Sequence, residues 1–177
     1  MKNTKSFKLV VLITVLSLVL SAMVGITAVA DDAEAKVYIA GANIAYNEMM
    51  HMAINLQCAE ELAEGDVLGL IIWDSTVEGE LTAANATHVT FNEKEDEKGV
   101  KYFTSQGIAA PEMADVFKLA GCIKSADGTI KIGKVINYSV AEYLNSRLDD
   151  EDVTPAQLDL YKKTLAYGKA AGAVFAD

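Results

Sequence analysis

Reactive chemistry in this chain would have to be built from very few parts. His51 and His88 are the only histidines, and Cys58 and Cys122 the only cysteines. A Ser-His-Asp or Cys-His arrangement needs an imidazole beside a nucleophile and an orienting acid. Both histidines fall in strand-like segments, and no G-x-S-x-G elbow exists. The cysteines lack the C-x-x-C spacing of redox and zinc sites. Two readings of them stay open: separate buried thiols, or a disulfide closing a loop of about 65 residues that contributes about 4 kcal/mol in the chain-entropy picture.

Carboxylates are plentiful, and a pair at glycosidase separation is compatible with the sequence. Most sit in solvated-looking runs such as 93–98 (EKEDEK). The run Asp149 to Asp152 offers oxygen ligands to a hard cation but lacks the D-x-[DN]-x-[DN]-G spacing of a calcium loop, so it reads as an acidic interhelical turn. Trp73 with Tyr38, Tyr46 and Tyr102 would make a sugar-stacking platform, yet Trp73 ends an apolar run and reads as core. Sequons occur at Asn85 and Asn137. No catalytic, cofactor or metal-ligating residue stands out, and no cofactor is expected.

The elements that must carry these residues are strands first and helices last. Lys36 to Ala40 is β-prone, and Met50, Met52, Ile54 and Leu56 alternate with more polar neighbours, as in a strand with one buried face. Ala59 to Ala63 reads as a helical turn. Val67 to Trp73 is an apolar run of strand length, and Asp74 to Asn85 an irregular connection with room for one short strand. Thr87 to Asn92 and Val100 to Thr104 read as strands joined through the acidic tip in a hairpin. After a loop containing Gly107 and Pro111, Asp115 to Lys124 forms a strand that turns at Asp127-Gly128 into a return strand, Thr129 to Tyr138. Ser139 to Glu142 and Thr154 to Gln157 are capping boxes opening two helices, the second running toward Ala173. This order predicts a mainly β, antiparallel sandwich, Ig-like in general shape, with a C-terminal two-helix hairpin, α+β by count.

The first thirty residues carry an address. Lys2, Lys5 and Lys8 precede an uncharged apolar run from Leu9, and Ala28-Val29-Ala30 supplies a small-x-small cleavage pattern. Residues 1–30 read as a signal peptide and 31–177 as one domain. Uncleaved, the segment would be a membrane anchor and the only membrane contact. After residue 30 there are twelve basic and twenty-five acidic residues, a net charge of −13. Binding phosphates takes clustered Lys and Arg, so nucleic acid is excluded as a partner.

Three phrases late in the chain, 107–115 (GIAAPEMAD), 138–143 (YSVAEY) and 165–171 (LAYGKAA), resemble an uncharacterised extracytoplasmic module of exported and cell-surface proteins in gut Firmicutes. The similarity runs from about Val37 to Phe175. It implies a secreted or cell-surface bacterial module of strands followed by helices, and it supplies no functional residues. The expected function is non-catalytic binding or scaffolding at the cell envelope, the partner a cell-wall glycan or a surface protein. Two rivals stay in play: a small carbohydrate-active hydrolase using two carboxylates, and a structural or inhibitory protein pairing through a sheet edge.

Overall fold

The computed structural model describes residues 35–46 and 48–175, so the leader and its cleavage pattern lie outside the described residues. Among the described residues nine antiparallel strands form two sheets, followed by two helices. The first sheet has the order β1 (Val37–Tyr46), β2 (Met50–Cys58), β6 (Lys101–Thr104), β5 (Lys94–Glu95). In the second, β4 (His88–Thr90) flanks β3 (Val67–Trp73), which pairs with β7 (Phe117–Lys124). The other edge of β7 is shared by β8 (Ile130–Ile132) and β9 (Ile136–Tyr138). The helices are α1 (Val140–Ser146) and α2 (Pro155–Phe175).

The period-2 pattern of β2 does what alternation dictates. Met52 and Ile54 point inward and are buried against Leu70 and Ile72 of the opposite sheet, with Phe103, Phe117 and Leu119 completing the main core. Strand β3 is covered on both faces, which explains its unbroken apolar run. Its other side, Ile71 and Trp73, joins Ala120 and Cys122 in a second cluster. The connection from Asp74 to Thr87 folds over that cluster, bringing Val77, Leu81 and Ala83 onto it, and Lys118 Nζ donates to Val77 O at 2.6 Å. That connection holds a 3-10 turn, Ala83–Asn85, and no strand.

Other expectations change on contact with tertiary structure. Ala59 to Ala63 is irregular rather than helical. The acidic tip does form a hairpin, but between β5 and β6, while β4 crosses to the second sheet and pairs with β3. The return strand after Asp127-Gly128 breaks into β8 and β9 at Gly133 to Val135. Gly133 sits where the start of β1 passes over the sheet: a Cβ there would lie 2.2 Å from Val37 O and 3.2 Å from Ala35 O. Ala35 N donates to Ile132 O at 3.3 Å, so the two sheets are stitched together at this corner.

Both cysteines are free, so the Cys58–Cys122 bridge is not formed. Cys122 faces the outer cluster around Trp73, whereas Cys58 packs with Val37 and Ile123 at the opposite side of β7. Burial pushes the Cys122 thiol up to about 12, which keeps it protonated and inert.

The serine half of the first capping box forms: Ser139 Oγ accepts from Glu142 N at 3.5 Å and donates to Met113 O at 3.3 Å. At α2 the box closes both ways, with Gln157 N donating to Thr154 Oγ1 (3.3 Å) and Thr154 N to Gln157 Oε1 (3.0 Å). Gly168 and its small neighbours bring α2 close against the 3-10 turn Ala110–Ala114. A Cβ at Gly168 would meet Met113 Sδ at 2.6 Å. The acidic turn between the helices is pinned by an ion pair from Arg147 to Asp150.

Four tyrosines fill the space between β1 and the helices. Tyr138 and Tyr143 stack with ring centroids 6.0 Å apart, Tyr143 donates to Asn43 Oδ1 (3.1 Å), and Tyr46 to Thr164 Oγ1 (3.4 Å), with Tyr161 alongside. Burial pushes Tyr143 up to about 12 and Tyr138 well above 10.0. A raised folded-state pKa means the folded protein holds these protons more tightly than the unfolded chain does. Their stabilisation is complete below pH 10 and is lost as pH climbs through the folded values, about 1.4 kcal/mol per unit of separation. Alkaline titration should therefore unfold the protein cooperatively between about pH 10 and 12, with phenolate absorbance and circular dichroism changing together. Full tyrosine ionisation near pH 10 with the fold intact would contradict this.

Candidate binding pocket at the open end of the sandwich

Antiparallel pairing brings the end of β3, the start of β4, the end of β6 and the start of β7 to one end of the sandwich. The segments leaving them surround a pocket of about 350 Å³. Its floor is apolar, made by Met52, Ile72, Ile108 and Phe117. Its walls are polar: Asp74, Ser75, Thr76 and Thr87 on one side, Ser105, Gln106, Glu112 and Asp115 on the other. Among the described residues no lysine, arginine or histidine lines it.

Backbone geometry fixes the walls. Thr87 N donates to Ile72 O (2.9 Å), and Thr87 Oγ1 accepts from Asp74 N (3.1 Å), which locks the exit of β3 to the entry of β4. Ser105, 4% exposed, accepts from Met52 N (2.9 Å) and donates to Gln106 O (2.6 Å). Glu112 Oε2 accepts from Ala109 N at 3.0 Å, capping its own 3-10 turn. Among the described residues no donor is bonded to the carboxylate of Asp74 or Asp115, leaving both available to a ligand.

The histidines brace one wall. His51 Nδ1 lies 2.9 Å from Ser105 O and His88 Nε2 3.3 Å from Thr104 O, so each ring donates to a successive carbonyl of the strand that leads into the pocket. His51 thus meets the carbonyl of Ser105 and not its hydroxyl, whose proton is already committed to Gln106. Among the described residues no group of three or more His, Cys, Asp or Glu is placed to hold a metal ion.

The aromatic platform is not assembled. Trp73 is fully buried and donates from Nε1 to Thr82 O (2.9 Å) and Asn85 Oδ1 (3.1 Å), while Tyr46 is tied to Thr164. The same bonds, with Asn85 Nδ2 donating to Glu80 O (2.9 Å), consume the Asn85 sequon structurally. Asp74, Thr87, Ser105 and Asp115 went unmarked in the sequence because the first and last lie forty-one positions apart. One local signal existed: three polar residues, Asp74 to Thr76, directly follow a fully apolar strand.

No known protein family, no curated protein and no solved structure matches the chain.

Proposed function

We propose that this protein is an exported, non-catalytic binding module of the bacterial cell envelope that holds a glycan in the pocket between its sheets. The observation that carries this is the pocket's composition: an apolar floor including Phe117, hydroxyls on both walls, and the unpartnered carboxylates of Asp74 and Asp115. Sugar rings present the same mixture of apolar faces and hydroxyl edges, and a concave site with a few converging polar groups is the usual form of a small-ligand site. The leader pattern, the strongly acidic composition and the resemblance to surface modules of gut Firmicutes support a location outside the cytoplasm. Among the described residues no helix is long and apolar enough to cross a membrane.

With three acids and, among the described residues, no cation on its walls, the pocket favours glycans bearing free amines over acetylated or anionic ones. Isothermal titration with glucosamine oligomers and their N-acetylated counterparts tests this. The Asp74→Asn/Asp115→Asn double variant should bind the amine form at least about tenfold more weakly, equivalent to about 1.4 kcal/mol, with thermal stability unchanged. Failure to bind any oligosaccharide, or indifference to the double variant, would rule the pocket out.

Cleavage by two carboxylates draws on the same acids. A catalytic acid needs a desolvated setting to stay protonated, whereas Glu112 and Asp115 are exposed and Asp74 is only half-buried. Binding is the better reading, and release of reducing ends from the same oligomers would reverse that order. Edge pairing is less well supported: Ile44 N on edge strand β1 is occupied by Asn43 Oδ1 (2.8 Å), and the strand's start is tied to Ile132.

A further inference from the structure

Most of the exposed large apolar side chains lie on or beside α2, the exceptions being Tyr38 on β1 and Val67 on β3. Among the described residues, seven large hydrophobics stand open to solvent; Leu160, Tyr167, Val174 and Phe175 lie on α2, and Met49 lies beside it in the turn from β1 to β2. Leu160, Tyr167 and Val174 are spaced by seven residues, so two helical turns return each to the same side and they form a ridge. Next to the ridge is a groove of about 510 Å³, floored by Met50, Ile108 and Met113, with Tyr167, Lys163 and Glu48 among its lining. A contiguous exposed patch of this kind marks an interaction surface.

We infer that this face pairs two copies of the chain around a two-fold axis, the Tyr167 ridge of each entering the groove of the other and each Lys163 meeting the other's Glu48. A two-fold interface uses one patch twice, so the patch must contain both halves of every contact. This one does: a ridge and a groove side by side, and one cation and one anion within the groove. A wholly acidic or wholly basic partner would leave one of those charges unmatched. Lys163 donates to Asp159 at 2.7 Å, but both side chains are mostly exposed and such a pair is readily exchanged. Electrostatics also favour this face, because α2 carries Lys162, Lys163 and Lys169 against Asp159 in a chain of net charge −10. Repulsion between two acidic molecules is therefore reduced where α2 is presented. The methionines Met49, Met50 and Met113 can repack around an inserted ring.

Sedimentation equilibrium on the purified protein tests the pairing independently of any glycan. A reversible dimer is expected, weakened at least about 30-fold by Tyr167→Glu, in keeping with a buried aromatic anchor. Leu160→Lys, at a second exposed point of the ridge, should weaken it as well. Lys163→Glu and Glu48→Lys should each weaken association, and the two together should restore it. Circular dichroism should be unchanged throughout, since each of these side chains faces solvent in the single chain. A monomer at every concentration up to the solubility limit would overturn the inference. So would a dimer indifferent to Tyr167→Glu, or a charge-reversed pair that stays weak.

Discussion

Trp73→Ala should lower the unfolding free energy by about 3–5 kcal/mol, the range for truncating a large buried aromatic. Trp73 is completely buried at the end of β3, packed with Ile71, Ala120 and Cys122. Its indole N–H helps fasten the long 74–87 connection, through Thr82 O and Asn85 Oδ1, beside the bond from Lys118 to Val77 O. Truncation leaves a cavity and removes the indole donor from Thr82 O, while Asn85 Oδ1 keeps its bonds from Thr82 N and Oγ1, so the cost combines lost packing with a lost hydrogen bond. Domains of this size are stable by only about 5–15 kcal/mol, so the variant should lose a large fraction of the total. Urea unfolding followed by circular dichroism measures it, and Trp73→Phe, which keeps a ring but loses the N–H, should fall between. A loss below about 1 kcal/mol for the alanine variant, the scale of a surface change, would mean the outer cluster is not a real core.

Gly133→Val is expected to cost about 3 kcal/mol or more, beyond ordinary overpacking. The new Cβ would meet Val37 O at 2.2 Å, Gly121 O at 3.1 Å and Ala35 O at 3.2 Å. All three are backbone atoms, so no side chain can swing aside and the start of β1 must lift from the second sheet. Gly172→Ala provides the control. Its Cβ would find nothing nearer than Pro111 O at 4.0 Å, and alanine in a helix is favoured over glycine by about 0.5–1 kcal/mol. Gly133→Val should therefore fall well below the parent in urea midpoint and Gly172→Ala slightly above it. Equal midpoints for the parent and Gly133→Val would show that the corner is loose.

What could be read in the residues was whatever the chain settles locally. The alternation of Met50 to Leu56, the solid apolar run of Val67 to Trp73, the Asp127-Gly128 turn and the Thr154-Pro155 helix start each carry their own physical signature, and each lies where its pattern placed it. Choices made between distant segments were not legible. The three residues of β4 suit either sheet, and only the backbone of Leu70 to Ile72 decides that they join the second. The break between β8 and β9 comes from the passage of Val37 beside Gly133, an event nearly a hundred residues away in sequence. The pocket was hidden for the same reason: its walls are contributed by the exits and entries of four strands, none of which carries a motif. The ridge on α2 was present in the letters as Leu160, Tyr167 and Val174, but its exposure became evident only once Tyr161 and Gly168 had taken the inward side.

The corner where Ala35 and Val37 meet Ile132 and Gly133 also sets an order of events. The earliest strand is completed by one of the last, so a chain delivered N-terminus first, from a ribosome or through a translocation pore, holds β1 half-dressed until residue 133 arrives. Contacts of such long span make for slow maturation. For an exported chain of the kind proposed above, that delay would keep the polypeptide threadable, and the apolar stripe of β1 would need a guardian until residues 132–133 close over its start.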